Sequence, residues 1–307
     1  NKPMVTSMLG KFGQMHDWAN VPGAPVAAIN PGQATKPVVV CRRVQGSGTQ
    51  ATANYFVSNF GCAGSAYDIP GRMATDSAFY NAQGSGLTKD DPIIIDPSLG
   101  YTVVENPGSG DVRSCLTAAQ NGTNWTFKAD TNLWHQVTFS GVGKNTAGTT
   151  IYTNADTAVL APYGAVGVLS YDSAGLESGW HYHDLNGFLT ANAAAIDASA
   201  RPATSTAKYA LAAMMEGSWD YYGEVSMQYR NGSNGKPALG GDLKTLADAL
   251  ITIVGDPAKV TPNKGIAALA PYVPTGNVTT NKVSKVTKSA NTCNTSTLFY
   301  PPAIWAP

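Results

Sequence analysis

Residues 37–60 read PVVVCRRVQGSGTQATANYFVSNF. The first part is a short run of β-branched residues after a Pro/Gly turn, which is the pattern of a buried strand over 37–42. The last part places Ala51, Tyr55, Phe56 and Phe60 at helical spacing, which predicts a helix from Thr49 to Phe60. Between them lies the glycine loop Arg43-Val44-Gln45-Gly46-Ser47-Gly48-Thr49. Strand, glycine loop and helix in succession are the building unit of an α/β fold.

The pattern weakens downstream. From about Cys62 to Leu160 the chain is rich in Gly, Asn, Thr and Ser. Short strands are expected at 92–95, 101–104, 134–139 and 150–152, and a short helix at 116–120. A second buried strand is expected over 164–171 (GAVGVLSY), and an edge or crossing strand over 219–230. Leu243, Leu246, Ala247, Leu250, Ile251 and Val254 make the clearest amphipathic helix, which Gly255-Asp256-Pro257 ends. The organisation expected is 1–160 carrying the glycine loop and its Gly/Thr/Asn-rich insertions, then 161–256 with crossing strands. A Pro/Thr/Asn-rich tail over 257–307 is expected to wrap the surface.

Composition narrows the function classes. Charged residues make up 13% of the chain, against about 25% in an average soluble domain. Basic and acidic residues balance at 20 each, so nothing draws the chain to nucleic acid. Any anion binding must come from a local site. No run of about 20 apolar residues occurs, so no membrane-spanning helix is expected. The four cysteines, Cys41, Cys62, Cys115 and Cys293, contain no Cys-x-x-Cys. An even, sparse set fits two disulfides in an oxidising compartment. Cys41 with Cys62 is the favoured pair, because they flank one strand–loop–helix unit, which leaves Cys115 with Cys293. Free buried cysteines are the alternative.

The glycine loop carries the sharpest chemistry. Its glycines let the backbone bend around a ligand. Thr49 is placed to cap the helix that follows. The unsatisfied N–H groups at a helix start, at the positive end of its dipole, suit an oxyanion. Arg43 would add a planar fork of donors, Ser47 and Thr49 hydroxyls, and Gly48 a backbone N–H. The alternative is a structural turn, with Thr49 a plain cap and Arg43 in a salt bridge. A second glycine loop, Gly108-Ser109-Gly110-Asp111-Val112-Arg113-Ser114, offers Ser109 and Arg113 as further contacts, or else a turn capped by Asp111. His181, His183 and Asp184 are too sparse for a metal site, and their reading is surface or packing. No nucleophile elbow, Walker loop or dinucleotide fingerprint appears, so neither a catalytic residue, a metal nor a cofactor is expected.

The stretch 37–60 resembles the phosphate-binding proteins of bacterial phosphate ABC transporters, in which an Arg-x-x-Gly-Ser-Gly-Thr loop opens a helix. Leu9-Gly10-Lys11-Phe12 with Asp17-Trp18, the 164–171 strand and the late amphipathic helix resemble further family segments in the expected order. The resemblance implies a type 2 periplasmic-binding fold of two α/β lobes, with the solute in the cleft. It also implies that Arg43, Ser47, Gly48 and Thr49 hold the anion. The chain begins after the family's N-terminal stretch, so either the sequence is a fragment or one lobe is expected to be incomplete. Gln45 stands where the family usually carries Asp.

The expectation is a periplasmic or extracellular solute-binding protein, not an enzyme, that takes inorganic phosphate or a similar oxyanion and serves ABC transporter membrane subunits. One rival is a secreted structural protein that self-associates through an exposed half-built lobe. The other is a phosphatase-like secreted protein.

Overall fold

The computed structural model describes residues 5, 18, 38–44, 46–58, 92–93, 102–128, 134–140, 142–144, 147–153, 164–170, 173, 176, 178–183, 221–224, 229–230, 232, 237–256, 268–269, 283–284, 286–287 and 297–298. The chain divides into two compact units, Asn1–Tyr182 and His183–Pro307.

At the centre of the first unit is β1 (Val39–Arg43). Val38, Val39, Val40 and Cys41 are all buried, as a strand covered on both faces requires. Two parallel neighbours flank it, giving the order β3-β1-β8. β3 is Thr102–Asn106 and β8 is Ala165–Gly167. The register sets Arg42 beside Glu105 and Arg43 beside Asn106 on one side, and Val40 beside Val166 on the other. The core is therefore a small mixed α/β unit built on a parallel sheet.

Helix α1 (Gly48–Ser58) follows β1, and α2 (Ser109–Asn121) follows β3. α2 buries Val112, Cys115, Leu116 and Ala119, at i, i+3, i+4 and i+7, so one stripe faces the sheet. A Cβ on Gly167 would lie 2.9 Å from the Cys41 carbonyl and 3.2 Å from Val112 Cγ1. The bare glycine lets the helix sit this close. Gly122, at φ 66°, ends α2 in the left-handed conformation. Cys41 is bonded to Cys115, which ties β1 to α2. This overturns the expected Cys41–Cys62 pair. Alternation along β1 turns Cys41 to the face that α2 covers, and nearness in sequence to Cys62 carries no such constraint. Cys62 and Cys293 lie outside the described residues.

A second sheet has the order β2-β5-β4, from Pro92–Ile93, Trp134–Val137 and Trp125–Lys128. β6 (Val142–Lys144) and β7 (Thr150–Thr153) form an antiparallel pair. Asn124 joins these parts: its Oδ1 accepts from Ser140 N at 3.0 Å, and its Nδ2 donates to Gln136 Oε1 at 3.1 Å. Trp125 Nε1 donates to Asn106 Oδ1 at 2.7 Å, linking β4 to the end of β3.

In the second unit, α3 (Gly241–Gly255) matches the expected amphipathic helix. Its Leu243, Leu246, Leu250 and Ile253 are exposed. Among the described residues after it, β9 (Ala268–Leu269) pairs with β10 (Val283–Ser284), and β11 (Val286–Thr287) with β12 (Thr297–Leu298). Within the strand expected over 219–230, the described residues 221–224 and 229–230 are not strand. No helix among the described residues is long and apolar enough to cross a membrane.

Candidate functional site

Both glycine loops leave the same edge of the sheet. Arg43 and Asn106 are register partners at the carboxyl ends of β1 and β3, and Val44 N donates to Asn106 O at 3.1 Å. In sequence the strands run β1, β3, β8, but in space β1 lies between the other two. The chain thus leaves β1 to one side and later crosses to the other. In open α/β sheets, ligands bind outside the carboxyl ends of the strands at such a reversal.

Arg43 joins the two loops. Its Nη1 donates to Ser109 Oγ at 2.8 Å and its Nη2 to the Pro107 carbonyl at 2.9 Å. Ser109 is the first residue of α2, so the guanidinium lies at the start of that helix. The Nε of Arg43 is shielded from solvent and has no hydrogen-bond partner among the described residues. Among the described residues Arg43 forms no salt bridge; its observed partners are the Ser109 hydroxyl and the Pro107 carbonyl.

Ser47, not Thr49, caps α1. The Ser47 carbonyl accepts from Ala51 N at 2.9 Å, and its Oγ accepts from Gln50 N at 3.4 Å. Thr49 is the second helical residue: the turn closed by Ser47 N and the Val44 carbonyl (3.0 Å) puts the cap at Ser47, two residues before the expected Thr49. The Ser-x-x-Gln spacing of Ser47 and Gln50 is the signal that identifies the cap. Gln50 does not complete a capping box here. Its Oε1 accepts from Arg43 N at 3.1 Å, and its Nε2 donates to Asn54 Oδ1 at 2.9 Å. Ser47 is buried, while Gly48 and Thr49 reach the surface.

At the second loop, Asp111 Oδ2 accepts from Gly108 N at 2.8 Å. The carboxylate thus caps α2 by reaching back from its third position. Arg113 Nη1 donates to Ser173 Oγ at 3.3 Å. Ser173 follows β8 and is buried. No sequence signal singles it out.

Beneath the loops, Arg42 Nη2 lies 3.4 Å from Glu105 Oε1, both side chains being buried. They are register neighbours on β1 and β3, so the pair braces the two strands that carry Arg43 and Ser109. Breaking such a pair from one side is costly, because the remaining charge is left buried.

His181 and His183 are exposed, and alternate with buried Trp180 and half-buried Tyr182. Asp184 lies outside the described residues. Among the described residues no group of three or more His, Cys, Asp or Glu could hold a metal ion. The chain matches no protein-family model, no curated protein and no solved structure.

Proposed function

We propose that the chain is an extracytoplasmic binding protein that holds phosphate or a related oxyanion where the loops after β1 and β3 meet. The observation that carries this reading is Arg43. Its guanidinium bridges the two loops at the start of α2, and its shielded Nε lacks a partner among the described residues. A buried donor left unmade costs roughly 1–3 kcal/mol, and a ligand oxygen would remove that cost. Two helix N-termini, the Ser109 hydroxyl and the Thr49 hydroxyl supply the neutral donors. The Cys41–Cys115 bond supports an oxidising compartment. On this reading the parallel-sheet core belongs to a type 2 periplasmic-binding fold, and the partner is the membrane part of an ABC transporter.

The test is calorimetric titration of the whole chain with inorganic phosphate and sulfate, alongside Arg43→Gln. The expected result is saturable binding to wild type and at least about a hundredfold weaker binding to the variant. Absence of heat and of thermal shift with both anions refutes the reading.

One observation favours the self-associating alternative. Leu243, Leu246, Leu250 and Ile253 are 66%, 57%, 40% and 52% exposed, and exposed apolar rows promote association. Light scattering across a concentration series separates the two, since a transporter's binding protein is expected to stay monomeric.

A further inference from the structure

We infer that Arg113, held in place by Ser173, sets the charge of the anion that the site accepts, selecting dianions over monoanions of the same shape. The inference rests on the anion-site reading and deepens it.

Arg113 stands four residues after Ser109 on α2, so the two share a helix face. A Cβ on Gly110 would lie 3.6 Å from Arg113 Nη2. The guanidinium therefore folds back along the helix to its first turn, where Arg43 is bound to Ser109. Arg43 and Arg113 thus both reach the first turn of α2, Arg43 at Ser109 and Arg113 beside Gly110. The described carboxylate there is Asp111, whose Oδ2 is engaged by Gly108 N. Counting the helix end as about half a charge, the described groups leave an excess of about one and a half positive charges. Like charges drawn together out of bulk water repel. A dianion cancels the excess better than a monoanion does.

Ser173 is built to hold this arrangement. It is 1% exposed. Its N–H donates to the Ser170 carbonyl at 3.0 Å, and its carbonyl accepts from Leu176 N at 3.1 Å. The same face of α2 is fastened to this segment one turn further on, where Thr117 Oγ1 donates to the Ser178 carbonyl at 2.6 Å. The segment after β8 thereby becomes a third wall of the site. Arg113 is the binding residue there, and Ser173 is a positioning residue.

The experiment compares sulfate with perchlorate, tetrahedral anions that differ by one charge, on the whole chain at about pH 8. Inorganic phosphate, near its dianion at that pH, is the third probe. Wild type, Arg113→Gln, Arg113→Lys, Ser173→Ala and Ser173→Thr are titrated, with circular dichroism to confirm folding. Wild type should prefer sulfate over perchlorate by at least about tenfold, which is one charge contact at a partly screened site. Arg113→Gln should weaken both anions, sulfate by more than perchlorate, and so reduce that ratio. Arg113→Lys and Ser173→Thr should retain most of the preference, and Ser173→Ala should lower it. A purely structural role for Ser173 would weaken all anions alike and leave the ratio unchanged, which overturns the assignment. An unchanged ratio in a folded Arg113→Gln overturns it as well. If Arg113→Gln does not fold, a Ser173→Ala ratio equal to wild type overturns it instead. Binding of no anion by wild type refutes the anion site itself. Binding by wild type without charge preference refutes only this inference.

Discussion

Single atoms decide several features of the two loops. Ser47 Oγ accepts from Gln50 N, while Thr49 stands inside the helix. Removing a capping hydroxyl costs about 1 kcal/mol, and removing one from inside the first turn costs less. Ser47→Ala should therefore lower unfolding stability by about 1 kcal/mol, and Thr49→Val should change it little, as measured by urea denaturation. Equal losses from the two variants would show that the cap is shared. Gly108 is constrained in a different way. A Cβ there would lie 2.7 Å from Asp111 Oδ2, closer than real atoms approach. Gly108→Ala should push the carboxylate off the Gly108 N–H and cost on the order of 1 kcal/mol of stability. A Gly108→Ala, Asp111→Ala double variant should cost little more than Asp111→Ala alone, since the clash and the cap share one partner.

The elements differ in how far the sequence reveals them. β1 and α1 are legible because a β-branched run and a 3.6-residue spacing flank a glycine turn. α3 is legible from spacing alone, although its leucines are exposed. α2 runs from Ser109 to Asn121, whereas only 116–120 was expected. Its first turn is written in Gly, Ser and Asp, residues that read as loop until Asp111 is seen reaching back to Gly108 N. β4 and β6 carried no expectation, because hydrogen bonds from Asn124 place their ends where hydrophobic alternation is short. Both loops of the candidate site were legible as glycine motifs. Their meeting through Arg43 and Ser109 was not, since it depends on the parallel register of β1 and β3. On the exposed side of α3, Lys244 pairs with Asp248, and Tyr229 Oη donates to the same carboxylate at 3.2 Å. The hydrogen bond from Lys244 holds the Asp248 carboxyl below its usual range. Folded Asp248 thus binds fewer protons than unfolded Asp248 between the two values. Its contribution is complete above the ordinary pKa and fades as pH falls through the depressed one. Acid titration of unfolding stability should show a drop in that window that is slightly smaller for Asp248→Asn than for wild type.

At the scale of the whole molecule, the parallel core is closed by distant parts of the chain, and the disulfide holds that closure. β1 and β3 are far apart in sequence, as are β1 and β8. Each pairing requires a long loop to close before its contacts stabilise anything. Cys41 and Cys115 are 74 residues apart, and their bond joins the strand bearing Arg43 to the helix bearing Ser109 and Arg113. Chain-entropy arguments put the stabilisation from a loop of this length at about 4 kcal/mol, mainly through the unfolded state. A Cys41→Ala, Cys115→Ala double variant should lose about that much in urea denaturation, together with the packing of two buried sulfurs. Neither cysteine is exposed, so reductant alone should act slowly on the native protein and quickly once urea has opened it. Peptide mapping without reduction gives the direct check. A linked fragment holding Cys41 and Cys115 is the expected product. A fragment joining Cys41 to Cys62 would remove the covalent tie between β1 and α2, the elements that carry the Arg43–Ser109 contact of the candidate site.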